Sequence, residues 1–252
     1  MLPLAFTFLL VGLLTLAERR WPARAEAAPR ALNLGVWAAR LVLQLTAVPC
    51  VSLAAAYGAR RLGLPSLQIG AWPLPASLVV FTLAMDLCEY LYHRAQHAMP
   101  WLWRRHALHH SDPCMNATTT ERHWWGDLII KALAFGAPLA VLLQPTRADY
   151  ALYGALTLWH YVVHANLKVN FGRWSFLLNC AAYHRLHHAR AAEHHGANYA
   201  ALFPIFDVIA GSYRPAEAFL ETGLDDAPRT LAEAFAWPPP PPRAQRVEAS
   251  PA

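Results

Sequence analysis

Three stretches of this chain, residues 2–17, 32–57 and 71–92, carry almost no charge. The second is broken only by Arg40. Crossing the hydrocarbon core of a bilayer takes roughly 20 apolar residues as a helix. Backbone N–H and C=O groups find no water there, so such runs fold as helices that satisfy them internally. Two shorter runs, 128–143 and 148–163, are joined by Gln-Pro-Thr-Arg, a tight turn built on Pro145. They are expected as a short or tilted helical hairpin. Composition agrees: 56% of residues are apolar and 15% charged, against about 25% charged in ordinary soluble domains.

The first run, LPLAFTFLLVGLLTLA, is followed by Glu18-Arg19-Arg20. A signal peptide places its charge first, so this run is expected as an N-terminal membrane anchor. The loop after it carries Arg19, Arg20, Arg24 and Arg30, and the loop after the second run carries Arg60 and Arg61. Positive residues favour the cytosolic side. The first loop is therefore placed in the cytosol, and the third helix ends there at His93. The net charge of +5 is read as cytosolic arginine. No basic patch interleaved with aromatic residues stands out, and nucleic-acid binding is excluded. Cys50, Cys88, Cys114 and Cys180 form no CxxC pair; they are read as small buried hydrophobes. Residues 1–236 are expected as one membrane-embedded domain, with a helical cap from about 165 to 235. Residues 237–252, rich in proline, are expected as a disordered tail.

All thirteen histidines lie between residues 93 and 195. His93 and His97 form HxxxH, as do His160 and His164. His106, His109 and His110 form HxxHH, as do His184, His187 and His188. Residues three or four apart share a helix face, so each motif aims several imidazoles together. Ten imidazoles exceed what one tetrahedral ion can use. They suit two ions with about five nitrogens each, and imidazole accepts iron, copper, nickel or zinc. Asp86 lies two helical turns before His93 and is expected to fix the tautomer of a ligand histidine. Glu89 is less well aligned and is read as structural.

The segments DLCEYLYHRAQH, LWRRHALHHSD, NATTTERHW, HYVVHAN, YHRLHH and NYAALFPIFDVIAGSY resemble the fatty acid hydroxylase / sterol desaturase superfamily of integral membrane di-iron oxygenases. The resemblance covers about residues 80–214. It implies an all-α fold with a cytosolic catalytic cap over a membrane bundle, which the apolar runs make three long helices and a short hairpin. It implies that the ten motif histidines ligate two iron ions (Fe2+/Fe3+). It implies O2 as co-substrate and hydroxylation or desaturation of an unactivated C–H bond in a sterol, fatty acyl or sphingolipid type of substrate. Electrons are expected from a separate ferredoxin, cytochrome or reductase, since no fused haem or flavin domain stands out. His123, His194, His195 and Asn198 are expected to support the ligands from behind. Trp124, Trp125 and Gly126 follow His123 where the family commonly has His-Pro-Leu-Glu. Ala200 follows Tyr199 where glycine is usual. Both departures leave the lipid open. The alternatives are another O2-dependent lipid cleavage on the same site, or a histidine-rich membrane metal transporter.

Overall fold

A computed structural model describes residues 2–25, 30–216 and 218–237. Its long helices are α1 (Leu2–Arg20), α2 (Ala31–Arg61) and α3 (Leu74–Ala98). By length and apolarity, α2 and α3 can each cross a membrane. Their outward faces carry Val42, Leu45, Leu53, Val79, Leu83 and Leu91, all exposed. In water each large aliphatic side chain left exposed would forgo about 1 kcal/mol or more of burial. Hydrocarbon as the surrounding medium removes that cost. Pro49 lies inside α2 and withholds one backbone donor. Beside it, the Thr46 and Ser52 hydroxyls donate to the carbonyls of Val42 and Val48, one turn back.

The hairpin forms as its two apolar runs suggest. Its first arm is α5 (Asp127–Lys131), a π-helical segment (Ala132–Gly136) and α6 (Ala137–Leu143). α4 (Pro100–His110) precedes it. Gln144 takes the left-handed conformation, with φ 47°, and ends the arm. The Thr146 side chain then accepts from Asp149 N, and Asp149 accepts from Thr146 N at 2.6 Å. This reciprocal cap starts the second arm, α7 (Arg147–Thr157) and α8 (Trp159–His164). The other Asp149 oxygen accepts from Ser77 at 2.9 Å and ties the turn to α3.

From residue 165 onward the expected helical cap is mostly irregular. Its helices are short: α9 (Ala181–His187), α10 (Ile205–Ala210) and α11 (Leu231–Phe235). No strand longer than an isolated bridge occurs among the described residues. Buried polar side chains replace helical hydrogen bonding here, because buried backbone groups must find partners. Asp207 accepts from the backbone N–H groups of Tyr199 (3.0 Å) and Ala200 (2.7 Å), and from Ser212 and Tyr183. Arg185, fully buried, donates to the carbonyl of Leu220 at 2.7 Å.

The arginine-rich end of α1 meets this layer directly. Glu18 accepts from Ala117 N and Asn166 N, both at 2.8 Å, and pairs with Arg30 at 2.7 Å. The first loop and the histidine-bearing segments therefore lie at the same end of the bundle. Trp237, the first residue of the expected tail, belongs to the described fold. Trp237 is buried against Val36 and Leu108, and its indole N–H donates to the Arg104 carbonyl at 2.7 Å. The remainder of that tail, 238–252, lies outside the described residues.

Candidate metal centre

Nine of the ten motif histidines gather into two groups. His93, His97, His106, His110 and His187 offer ligand atoms within 4.8 Å of one another; so do His109, His164, His184 and His188. Each HxxHH motif contributes to both groups. Successive helical residues are turned by about 100°, from 3.6 residues per turn. The i,i+4 pairs His106/His110 and His184/His188 thus stay together, while His109 and His187 point to the opposite group.

The two halves are related by an approximate twofold. His110 and His188 stack near its centre, 4.2 Å apart at 13°. Ring separations match across it: His106–His110 and His184–His188 are both 4.8 Å, and His106–His109 and His184–His187 both 5.4 Å. His160 breaks the symmetry. It would mirror His93, but it lies outside the second group, on the wall of an adjoining cavity, with Nε2 buried and unpartnered.

Hydrogen bonds settle several tautomers. The Nδ1–H groups of His93, His164 and His187 donate to the carbonyls of Tyr199 (2.7 Å), His160 (2.7 Å) and Ala197 (2.8 Å). Their Nε2 atoms are then bare lone pairs. Nε2 of His93 lies 3.1 Å from Nε2 of His106, which lies 3.1 Å from Nε2 of His110. Nε2 of His164 lies 3.1 Å from that of His109 and 3.0 Å from that of His184. Imidazoles holding one ion at about 2.0–2.1 Å and at right angles would have nitrogens about 3 Å apart. Nε2 of His97, His187 and His188 is buried without a partner. An orphaned buried nitrogen is costly unless something binds it. Spacing, orphaned donors and an all-imidazole set fit two transition-metal ions.

Burial favours the neutral form that a ligand needs. It holds His106, His109, His110, His184 and His188 well below the usual imidazole range, and neighbouring imidazoles add to the effect. His187 is pushed down to about 4, chiefly by burial.

The supporting residues differ from expectation. Asp86 contacts no histidine; its oxygens accept from Leu202 N (2.9 Å) and Phe203 N (3.0 Å). Backbone carbonyls take the orienting role expected of it. Asn198, at φ 61°, clamps the cap: its amide donates to the carbonyls of Tyr183 and Arg214 and accepts from Arg214 N. His123 stacks on His109 at 4.0 Å and 13°. His195 donates to the Ala189 carbonyl at 2.9 Å and stands 6.2 Å from the Trp103 ring. His194 lies in the part-exposed turn Ala192–His194.

Sequence reasoning missed several groups. Trp103 packs on His97 and His110, at 4.9 and 5.3 Å. Tyr199 packs on His93, His97 and His187. Glu89, read as structural, pairs with Lys131 at 2.7 Å on the wall of a cavity of about 70 Å³ that the histidines line. Lys131 immediately precedes the π-helical segment, an irregularity frequent at functional sites. Glu89 is a carboxylate within an apolar run, the one signal that could have found this pair.

The structure is thus a helical one, with two helices fit to cross a membrane and two histidine clusters that could each hold a metal ion. The chain belongs to the fatty acid hydroxylase family, whose profile matches residues 78–212, just over half of it. It is similar to the alkylglycerol monooxygenase of Homo sapiens, 29% identical over 154 residues, covering 61% of this chain and 34% of that protein. The Danio rerio alkylglycerol monooxygenase is 30% identical over 133 residues, 53% of this chain and 29% of that protein. Ornithine lipid hydroxylase OlsE of Rhizobium tropici is 27% identical over 143 residues, 56% of this chain and 43% of that protein. The matches thus span less than half the length of each relative. No solved structure matches the chain.

Proposed function

We propose that this protein is a membrane oxygenase that uses two irons, O2 and external electrons to hydroxylate or desaturate an unactivated C–H bond of a lipid. The observation that carries the reading is the pairing of two groups of imidazoles, mostly buried, with Nε2 of His97, His187 and His188 left without a partner. His93, His97, His106, His110 and His187 would hold one iron; His109, His164, His184 and His188 would hold the other, with His160 beside it. When bound, such a pair supplies reductive activation of O2, which zinc cannot.

The chain's own residues prepare the place. The Tyr199, His160 and Ala197 carbonyls hold three imidazoles with Nε2 inward. Burial keeps the cluster unprotonated and limits the entry of water. The Glu89–Lys131 pair, Gln96 and Asn179 give the small cavity polar lining, and Val163 and Ala201 add apolar lining. A carbon next to a polar group fits between such walls. The names alkylglycerol monooxygenase and ornithine lipid hydroxylase favour a substrate with an alkyl chain and a polar headgroup.

We further place the histidine site on the cytosolic side of a multi-pass protein, where soluble reductants reach it. The arginines of the first loop share its end of the bundle, and positive residues favour that side. The donor is expected to be a separate ferredoxin, cytochrome or reductase. The test is incorporation of ¹⁸O from ¹⁸O2 into lipid by the purified protein with a chemical or enzymatic reductant. Labelled product from wild type and none from His187→Ala is the expected result. No O2-dependent change in any lipid of the host membrane would sink the reading.

A further inference from the structure

An apolar cleft of about 370 Å³ runs beside the histidine cavity. Leu10 of α1, Leu156, Trp159 and Val162 of the second hairpin arm, and Leu178 and Leu202 of the cap line it. The two spaces are bordered by the same strips of chain. In four of them, consecutive residues line one space and the other: Trp159 and His160, Val162 and Val163, Leu178 and Asn179, Leu202 and Ala201. These strips are stitched together. The Trp159 indole donates to the Asn179 carbonyl at 2.7 Å, and Asn179 N donates to the Leu202 carbonyl at 2.9 Å. The Asp86 bonds to Leu202 N and Phe203 N hold the same strip from below. Irregular backbone at membrane depth is tolerated where it lines a cavity, and this strip lines two.

Exposed apolar residues surround the mouth of the cleft. Ala155 on its rim is exposed, and so are Leu9 and Leu13 on neighbouring α1. The lining offers almost nothing to a polar group, and the volume suits a chain of roughly a dozen heavy atoms, taking the ≈30 Å³ share of one water as a guide. We propose that this cleft binds the alkyl chain of a membrane lipid, entering sideways from the bilayer between α1 and α7. The strips that border both spaces then lay that chain alongside the histidine cavity. That the bound chain is the substrate's rests on the oxygenase reading; that the cleft takes an alkyl chain rests on its lining, its mouth and its size.

A photoactivatable 1-O-hexadecylglycerol with a diazirine at the end of its chain tests this directly. The metal-loaded protein is labelled in lipid nanodiscs and the adducts are mapped by mass spectrometry. Labelling should concentrate on peptides carrying residues 155–162 and 202–203 and be displaced by excess unlabelled 1-O-hexadecylglycerol. Ala155→Trp should fill the mouth and cut that label roughly tenfold or more, since several methylenes lose their burial. Iron content and thermal midpoint should be unchanged, because Ala155 lies on the rim. Competition on the wild type answers the question even if the tryptophan variant folds poorly, and Ala155→Leu offers a milder block. Label spread evenly over the lipid faces of α1–α3, indifferent to competitor, would overturn the proposal. A labelled, competed cleft without ¹⁸O incorporation would defeat the oxygenase reading alone. ¹⁸O incorporation with label elsewhere would defeat the cleft alone.

Discussion

His187 and His123 are placed for two different jobs in the proposed site, and substitution should separate them. His187 presents a bare, buried Nε2 to its group. His187→Ala should abolish product and release metal, because the remaining imidazoles cannot complete the coordination. His123 stacks on His109, stands 6.1 Å from the His106 ring and belongs to neither imidazole group. His123→Ala should keep its metal and lose at most the 10–100-fold typical of residues that support ligands. Metal content and product yield at matched expression check both. If His123→Ala loses metal as completely as His187→Ala, the division is wrong. Acid should act through the same groups. Folded His187 titrates near 4, against an ordinary value of 6.5. Between those values the unfolded chain binds the extra proton, so stability falls as pH drops from 6.5 towards 4. The thermal midpoint of metal-free protein should decline through that window, and a flat profile would contradict it. The four motifs were legible because i,i+3 and i,i+4 spacing is a local property. The standing of His160 was not, because the position of α8 against the cavity depends on distant packing.

Among the elements, α3 shows what a sequence can and cannot disclose. Its apolar run and its carboxylate were both visible, and an ionisable residue in such a run rightly drew notice. The partner of Asp86 was not visible, because Leu202 and Phe203 lie more than a hundred residues away. Asp86→Ala should leave two buried N–H groups without an acceptor. Leaving a buried donor unsatisfied costs about 1–3 kcal/mol, so a loss of roughly 2 kcal/mol or more is expected. Denaturation in detergent reads it, and an unchanged midpoint would mean the strip is held by other contacts. The hairpin was legible from its two apolar runs and Pro145. The cap was not, since its shape comes from Asp207, Asn198 and Arg185 bonding the backbone across loops, a pattern with no period.

At the scale of the whole molecule, the one-sided placement of the histidines was legible from the alternation of runs and arginines. The division into five and four, the approximate twofold and the cleft beside the site needed the folded chain. The orientation can be checked by cysteine labelling, with the four native cysteines changed to alanine. Arg190→Cys should react only from the cytosolic side and Arg61→Cys only from the other. The reverse pattern would put the site away from soluble reductants.

The central claim is that two imidazole groups hold two irons. Elemental analysis of protein purified anaerobically from iron-replete cells measures it most directly. About two irons per chain are expected, on one ion for each group. One zinc per chain and no iron under those conditions would contradict it.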